Sequence, residues 1–128
     1  MVGHHVRTFP DGDEAFTEHT PPAYYTSAGD FAYGGIIASL IDCHSAGAAA
    51  IFWMRHNQQT LGDAPAPRFL TARLEVDYLA PTPLGPVRMV GRLEEMGRRK
   101  VIVTTDYIAG GAVTAQGRAV MVRIADES

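Results

Sequence analysis

Tyr33-Gly34-Gly35-Ile36-Ile37-Ala38-Ser39-Leu40-Ile41-Asp42 is the stretch that decides how this chain folds. A glycine pair opens it, and a single carboxylate follows about two turns later. Apolar and small residues continue to Met54, which predicts one long helix from about Gly34 to His56. On a wheel at about 100° per residue, Ile36, Ile37, Leu40, Ile41, His44, Ala48, Ile51 and Phe52 gather on one half. Ala38, Ser39, Asp42, Ser45, Ala46, Ala49 and Trp53 gather on the other. The bulky half is read as lying on a sheet. The second half lacks the Lys, Glu and Gln of a solvated face, and its small residues let another backbone come close. The chain offers no second long helix. That face is therefore assigned to a second copy of the chain across a two-fold axis, a face covered inside a monomer being the alternative.

On either side of the helix the pattern is extended. Residues 6–9 and 14–19 flank the turn Pro10-Asp11-Gly12-Asp13, which suggests a small hairpin. Residues 20–31 are rich in Pro, Tyr and Gly and read as ordered loop. A linker loop at 58–67 contains Gly62, Pro65 and Pro67. Residues 69–79 then alternate, with Leu70, Ala72, Leu74, Val76 and Tyr78 on one face and Thr71, Arg73, Glu75 and Asp77 on the other. Pro81, Pro83 and Gly85-Pro86 end that strand. Further strands follow at 87–96, 101–109 and 112–124, separated by Gly97-Arg98-Arg99-Lys100 and by the hairpin signal Gly110-Gly111. Successive hairpin-like connections imply an antiparallel sheet. The fold class is α+β, one long helix covering its stripe against that sheet.

Composition narrows the partners. The length of 128 residues suits a single domain, taken as residues 1–128. With 46% hydrophobic and 20% charged residues the chain is of ordinary globular kind. A net charge of −3 and a pI near 5.9 supply no basic field for nucleic acid. The lone cysteine, Cys43, forms no intrachain disulfide and fits a reducing, cytoplasmic setting. No signal peptide is read. The apolar run is long enough to raise a membrane span, but Asp42 near its middle favours a core helix, so no membrane partner is expected.

Two features of the helix carry chemistry. Asp42 is a lone acid beside an expected interface, either catalytic or satisfied by hydroxyls or an arginine of the second copy. At the other end, helix N-termini leave N–H groups without partners and carry partial positive charge. With Gly34 and Gly35 there, no side chain blocks approach, so the end can hold an anion or an oxyanion; the alternative is that the glycines only ease entry into the helix. Cys43 and His44 point about 100° apart and do not form a nucleophile–base pair, and His44 reads as a core or interface histidine. No metal site is expected, because His4 and His5 lack further ligands at a sensible spacing. Arg98, Arg99 and Lys100 form a basic turn, either a phosphate contact or a solvated hairpin tip.

Taken together, these residues resemble the hotdog-fold acyl-CoA thioesterases related to the phenylacetate-degradation protein. In that family a His-Gly-Gly opens the central helix and an Asp or Glu follows eight residues after the first glycine; Tyr33-Gly34-Gly35 and Asp42 stand in those places here. Val76-Asp77-Tyr78-Leu79-Ala80-Pro81, the basic turn and Ala115-Gln116-Gly117-Arg118-Ala119 also look like the family. The resemblance covers about residues 27–124. It implies a hotdog fold, an antiparallel sheet wrapped around one long central helix, in a homodimer or a dimer of dimers. It also implies thioester hydrolysis, with Asp42 as nucleophile or general base and the Gly34 N–H as oxyanion donor from the other subunit. By position, Thr71 would orient the attacking water and Ser27 would stand where some relatives carry an amide. Arg98, Arg99 and Lys100 would meet the phosphates of coenzyme A, which is part of the substrate; no separate cofactor is implied.

One residue departs from the pattern: Tyr33 replaces the family's histidine, which bears on substrate class more than on fold. That departure keeps a non-catalytic acyl-CoA-binding protein as the second reading. Tyr25-Thr26-Ser27-Ala28-Gly29-Asp30 also looks like the start of an enoyl-CoA hydratase motif, but that motif's catalytic His is missing here.

Overall fold

The computed structural model describes residues 7–21, 26–27, 31–32, 34–58 and 67–124. Strands β1 (Thr8–Asp11) and β2 (Glu14–His19) form a hairpin, and the two-residue strands β3 (Thr26–Ser27) and β4 (Phe31–Ala32) pair with each other. Helix α1 spans Gly34–His56, with the bounds the apolar run predicts. Strands β5 (Phe69–Tyr78), β6 (Val87–Met96), β7 (Lys100–Ala109) and β8 (Ala112–Arg123) follow. One antiparallel sheet takes six of these strands in the order β1-β2-β6-β7-β8-β5.

By length and composition alone α1 could cross a membrane; in this fold it packs along the sheet. At its glycine end Ile36, Ile37, Leu40 and Ile41 meet Val87, Met89, Tyr107 and Ala115. Toward its C-terminus Ala48, Ile51 and Phe52 meet Val101, Val103, Ala119 and Met121. Burying each large side chain contributes about 1.5–3 kcal/mol, so these two clusters dominate the hold of the helix on the sheet. Gly91 and Gly117 let it lie close. A Cβ on Gly91 would fall 2.7 Å from His44 Nε2, and one on Gly117 would fall 2.6 Å from Ile41 Cγ2.

Residues 20–31, read as loop, hold β3 and the start of β4, and the structure corrects the sequence reading in three further places. First, β5 and β6 are not hairpin neighbours: β5 pairs with β8 at the far edge, and β6 lies between β2 and β7. The prolines between them lack the N–H a ladder needs, and the segment leaves the sheet. Leu79 and Ala80 N–H both donate to the Thr114 carbonyl, at 2.9 and 3.2 Å. Second, β5 does not alternate strictly. Its register slips between Thr71 and Arg73, so Thr71 faces Met121 and Leu74 faces Ala119, both fully buried partners. Thr71 therefore shares the helix-facing side with Leu74 and Val76, while Leu70, read as inward, is 59% exposed. Third, Ser45 and Ala49, read on the small-residue half of α1, are fully buried within the chain. Phe69 and Leu74 of β5 pack against the cluster that holds Ala49, so the sheet covers more of the helix than a flat layer would.

Candidate active site

The glycine end of α1 forms where β4 leads into the helix, and no acidic residue stands in the first turn. Gly34 is half-buried and Gly35 exposed. Two bonds fix this end to the strand region that follows β5. Ala32 N–H donates to the Thr82 carbonyl at 2.9 Å, and the Tyr78 hydroxyl donates to the Gly34 carbonyl at 2.7 Å. Thr82 is anchored in turn, its buried hydroxyl donating to Thr114 Oγ1 at 2.8 Å. Ala32, Gly34, Ile37, Tyr78, Pro81 and Thr82 line a shallow cleft here.

Asp42 lies on the flank of α1 that β5 covers, and is half-buried. The Thr71 hydroxyl donates to Asp42 Oδ1, a contact made possible by the bulge at Ala72. A donor at that oxygen orients the carboxylate.

These two parts do not converge within one chain. At about 1.5 Å of rise per residue, the eight residues from Gly34 to Asp42 set the glycine N–H groups about 12 Å from the carboxylate along the helix. One thioester carbonyl cannot meet both in a single copy.

The remaining candidates separate from this centre. Arg98 and Arg99 are exposed in the β6–β7 turn, and Lys100 pairs with Glu95 at 3.0 Å. The Arg99 carbonyl accepts the Arg123 N–H at 2.7 Å, and the Arg123 guanidinium stacks 4.5 Å over Trp53. The basic turn thus sits at the C-terminal end of α1, far from Gly34. Ser27 is placed by backbone pairing with Phe31, while Tyr33 lies outside the described residues. Cys43 is free and half-buried. Among the described residues, no three His, Cys, Asp or Glu side chains gather to hold a metal ion.

His44 is a core residue. It is fully buried, and its Nδ1 lies 2.7 Å from Thr17 Oγ1, which is 2.8 Å from Thr8 Oγ1. Burial pushes its pKa down to about 4, so it stays neutral at pH 7. The chain of hydroxyls ties the β1–β2 hairpin to the helix.

The profile of the thioesterase superfamily matches residues 29–115. The chain belongs to the thioesterase superfamily. A crystal structure of a thioesterase superfamily protein from Shewanella loihica is 36% identical to it, covers 98% of this chain and 96% of its own, and superposes with a TM-score of 0.79. The PaaI protein of the Escherichia coli phenylacetic acid degradation operon shares the fold at 16% identity and a TM-score of 0.74, over 94% of this chain and 80% of its own. So does a Streptococcus mutans protein bound to acetyl-CoA, at 16% identity and 0.76, over 100% and 95%. No curated protein matches the sequence. For this thioesterase-superfamily member the fold is the hotdog fold, the sheet being the bun and α1 the filling. The sequence reading set Tyr78 on the apolar face of β5 and within the family's motif but gave its hydroxyl no partner.

Proposed function

We propose that this chain is an acyl-CoA thioesterase, releasing a free acid and coenzyme A from sites shared between two copies of the chain. The observation that carries this reading is the Thr71–Asp42 hydrogen bond, which presents an oriented carboxylate on the small-residue flank of the helix. The glycine end supplies the complementary part. In a two-fold pairing of antiparallel helices centred beside Ala38, midway between 34 and 42, each Asp42 stands opposite the glycines of the other copy. Ala38 and Ser39 are small enough for the backbones to approach there.

In such a site the thioester carbonyl accepts hydrogen bonds from the Gly34 and Gly35 N–H groups, at the positive end of the helix. Asp42 attacks the carbonyl carbon or takes a proton from the water that does, and Thr71 holds it in line. Negative charge develops on the carbonyl oxygen, where the N–H groups stabilise it. The carbon–sulfur bond then breaks, and the sulfur of coenzyme A leaves as a thiolate. On the general-base route it takes up the proton that Asp42 drew from water. On the nucleophilic route it takes a proton from solvent while a water molecule cleaves the acyl–Asp42 anhydride to free acid and carboxylate. Thioesters are already activated, so positioning and oxyanion stabilisation are the protein's main tasks. The acetyl-CoA bound to the Streptococcus mutans protein of the same fold supports a CoA ester as the substrate class. The exposed Arg98 and Arg99, with Lys100, are suited to the phosphates, which the pantetheine arm sets far from the reacting carbon.

A thiol-release screen over short, long and aromatic acyl-CoAs tests the proposal. Turnover on at least one ester, lowered by about 100-fold or more in Asp42→Asn, is the expected result. Tight CoA-ester binding without thiol release would instead favour a non-catalytic binding protein, the reading that Tyr33 in place of histidine motivates.

A further inference from the structure

Tyr78 closes β5 where the sheet edge meets the first turn of α1. Its hydroxyl donates to the Gly34 carbonyl at 2.7 Å. That carbonyl and the Gly35 N–H belong to one planar amide. A donor on the oxygen fixes the plane of the amide and draws electron density toward the oxygen. The N–H at the other side becomes a stronger donor as a result.

The contact is built rather than incidental. Tyr78 pairs with the fully buried Ala115, and the two residues after it are tied to Thr114. The ring lies so near the helix that a Cβ on Gly34 would fall 3.2 Å from Tyr78 Cζ. Tyr78 is nonetheless 52% exposed, so water could satisfy its hydroxyl. Within its own chain the bond to Gly34 therefore does not answer a burial requirement.

The geometry points to Tyr78 as a positioning residue that aims and polarises the Gly34–Gly35 amide as oxyanion donor. This rests on the thioesterase reading of the glycine end given above. Tyr78 acts through the amide and not on the thioester. Charge on the carbonyl oxygen is greater in the transition state than in the bound ester, so a stronger N–H donor favours the former. Losing the hydroxyl lowers kcat and leaves KM in place.

Tyr78→Phe removes the hydroxyl and keeps the ring. Its kcat is expected to fall about tenfold, less than the 10²–10³ that follows deletion of a direct oxyanion donor. KM stays within about twofold of wild type. In protein labelled with ¹⁵N-glycine, the Gly35 amide proton moves upfield in the variant, a readout independent of turnover. An unchanged kcat, a change confined to KM, or an unmoved Gly35 resonance would each overturn the assignment. Asp42→Asn in the same assay separates the two claims. Turnover lost there but intact in Tyr78→Phe removes only the role of Tyr78, turnover retained in Asp42→Asn removes Asp42 from the mechanism, and no thiol release from any ester by the wild-type protein removes the thioesterase reading itself.

Discussion

A carboxylate and an imidazole two residues apart on α1 meet opposite fates. Asp42 reaches the flank of the helix, where a hydroxyl orients it. His44 turns into the core, where burial holds it neutral with a pKa of about 4. An unfolded histidine titrates near 6.5. Between these values the unfolded chain binds more protons than the folded one, so stability is full above about pH 6.5 and falls as the pH drops toward 4. The expected loss from this one group reaches about 3 kcal/mol. Urea denaturation from pH 7 to 4 checks it: His44→Gln should flatten this part of the profile, and an equal slope in the variant would assign the acid sensitivity elsewhere. At this scale the sequence was legible where spacing alone decides. The wheel separated Asp42 from His44, and the glycines stood out because nothing else near them could line a helix entry. Tyr78 was not legible, because its partner is a backbone oxygen 44 residues away.

Among the elements, β5 shows what a pattern can hide. Strict alternation put Thr71 with Arg73 and Glu75, away from the helix. The extra residue at Ala72 reverses the phase, so Phe69 and Thr71 join Leu74 and Val76 on the inner side. Nothing in the local sequence marks this bulge; it is set by pairing with β8, a non-local contact. The Gly110-Gly111 hairpin, by contrast, was readable. Both residues have positive φ, 60° and 79°, a conformation that only glycine adopts cheaply. The aiming of Thr71 leads to a paired test. Thr71→Val removes the donor and should lower kcat by about 10- to 100-fold. Deleting Ala72 straightens the strand while leaving Thr71 opposite Met121, and should keep kcat within about tenfold of wild type. Equal losses in both variants would mean that the bulge does more than set the phase of Thr71.

For the whole molecule, the two sheet edges differ. The β1 edge is short and carries Pro10 and Asp11, which blunt further pairing. The β5 edge runs for ten residues and ends in the exposed Tyr78 and Leu79. Beside it lies the flank of α1 with Ala38, Ser39 and Asp42, none of which is fully exposed or fully buried. In the proposed pairing, a second copy set against this edge would cover both surfaces and supply the glycine end that the carboxylate lacks within its own chain. The wheel suggested such a face; the 12 Å implied by about eight helical rises gives it a chemical purpose. The central claim is therefore that one site takes Asp42 from one copy and the glycine N–H from the other. Gly34→Pro removes that N–H at a first helical position, where proline keeps a helical φ, and its added Cβ also presses on the Tyr78 ring 3.2 Å away. Mixing inactive Asp42→Asn with inactive Gly34→Pro, after dissociation and reassociation, should restore about a quarter of wild-type turnover, one intact site in each mixed dimer. No recovery from a mixture shown to contain mixed dimers would contradict the account.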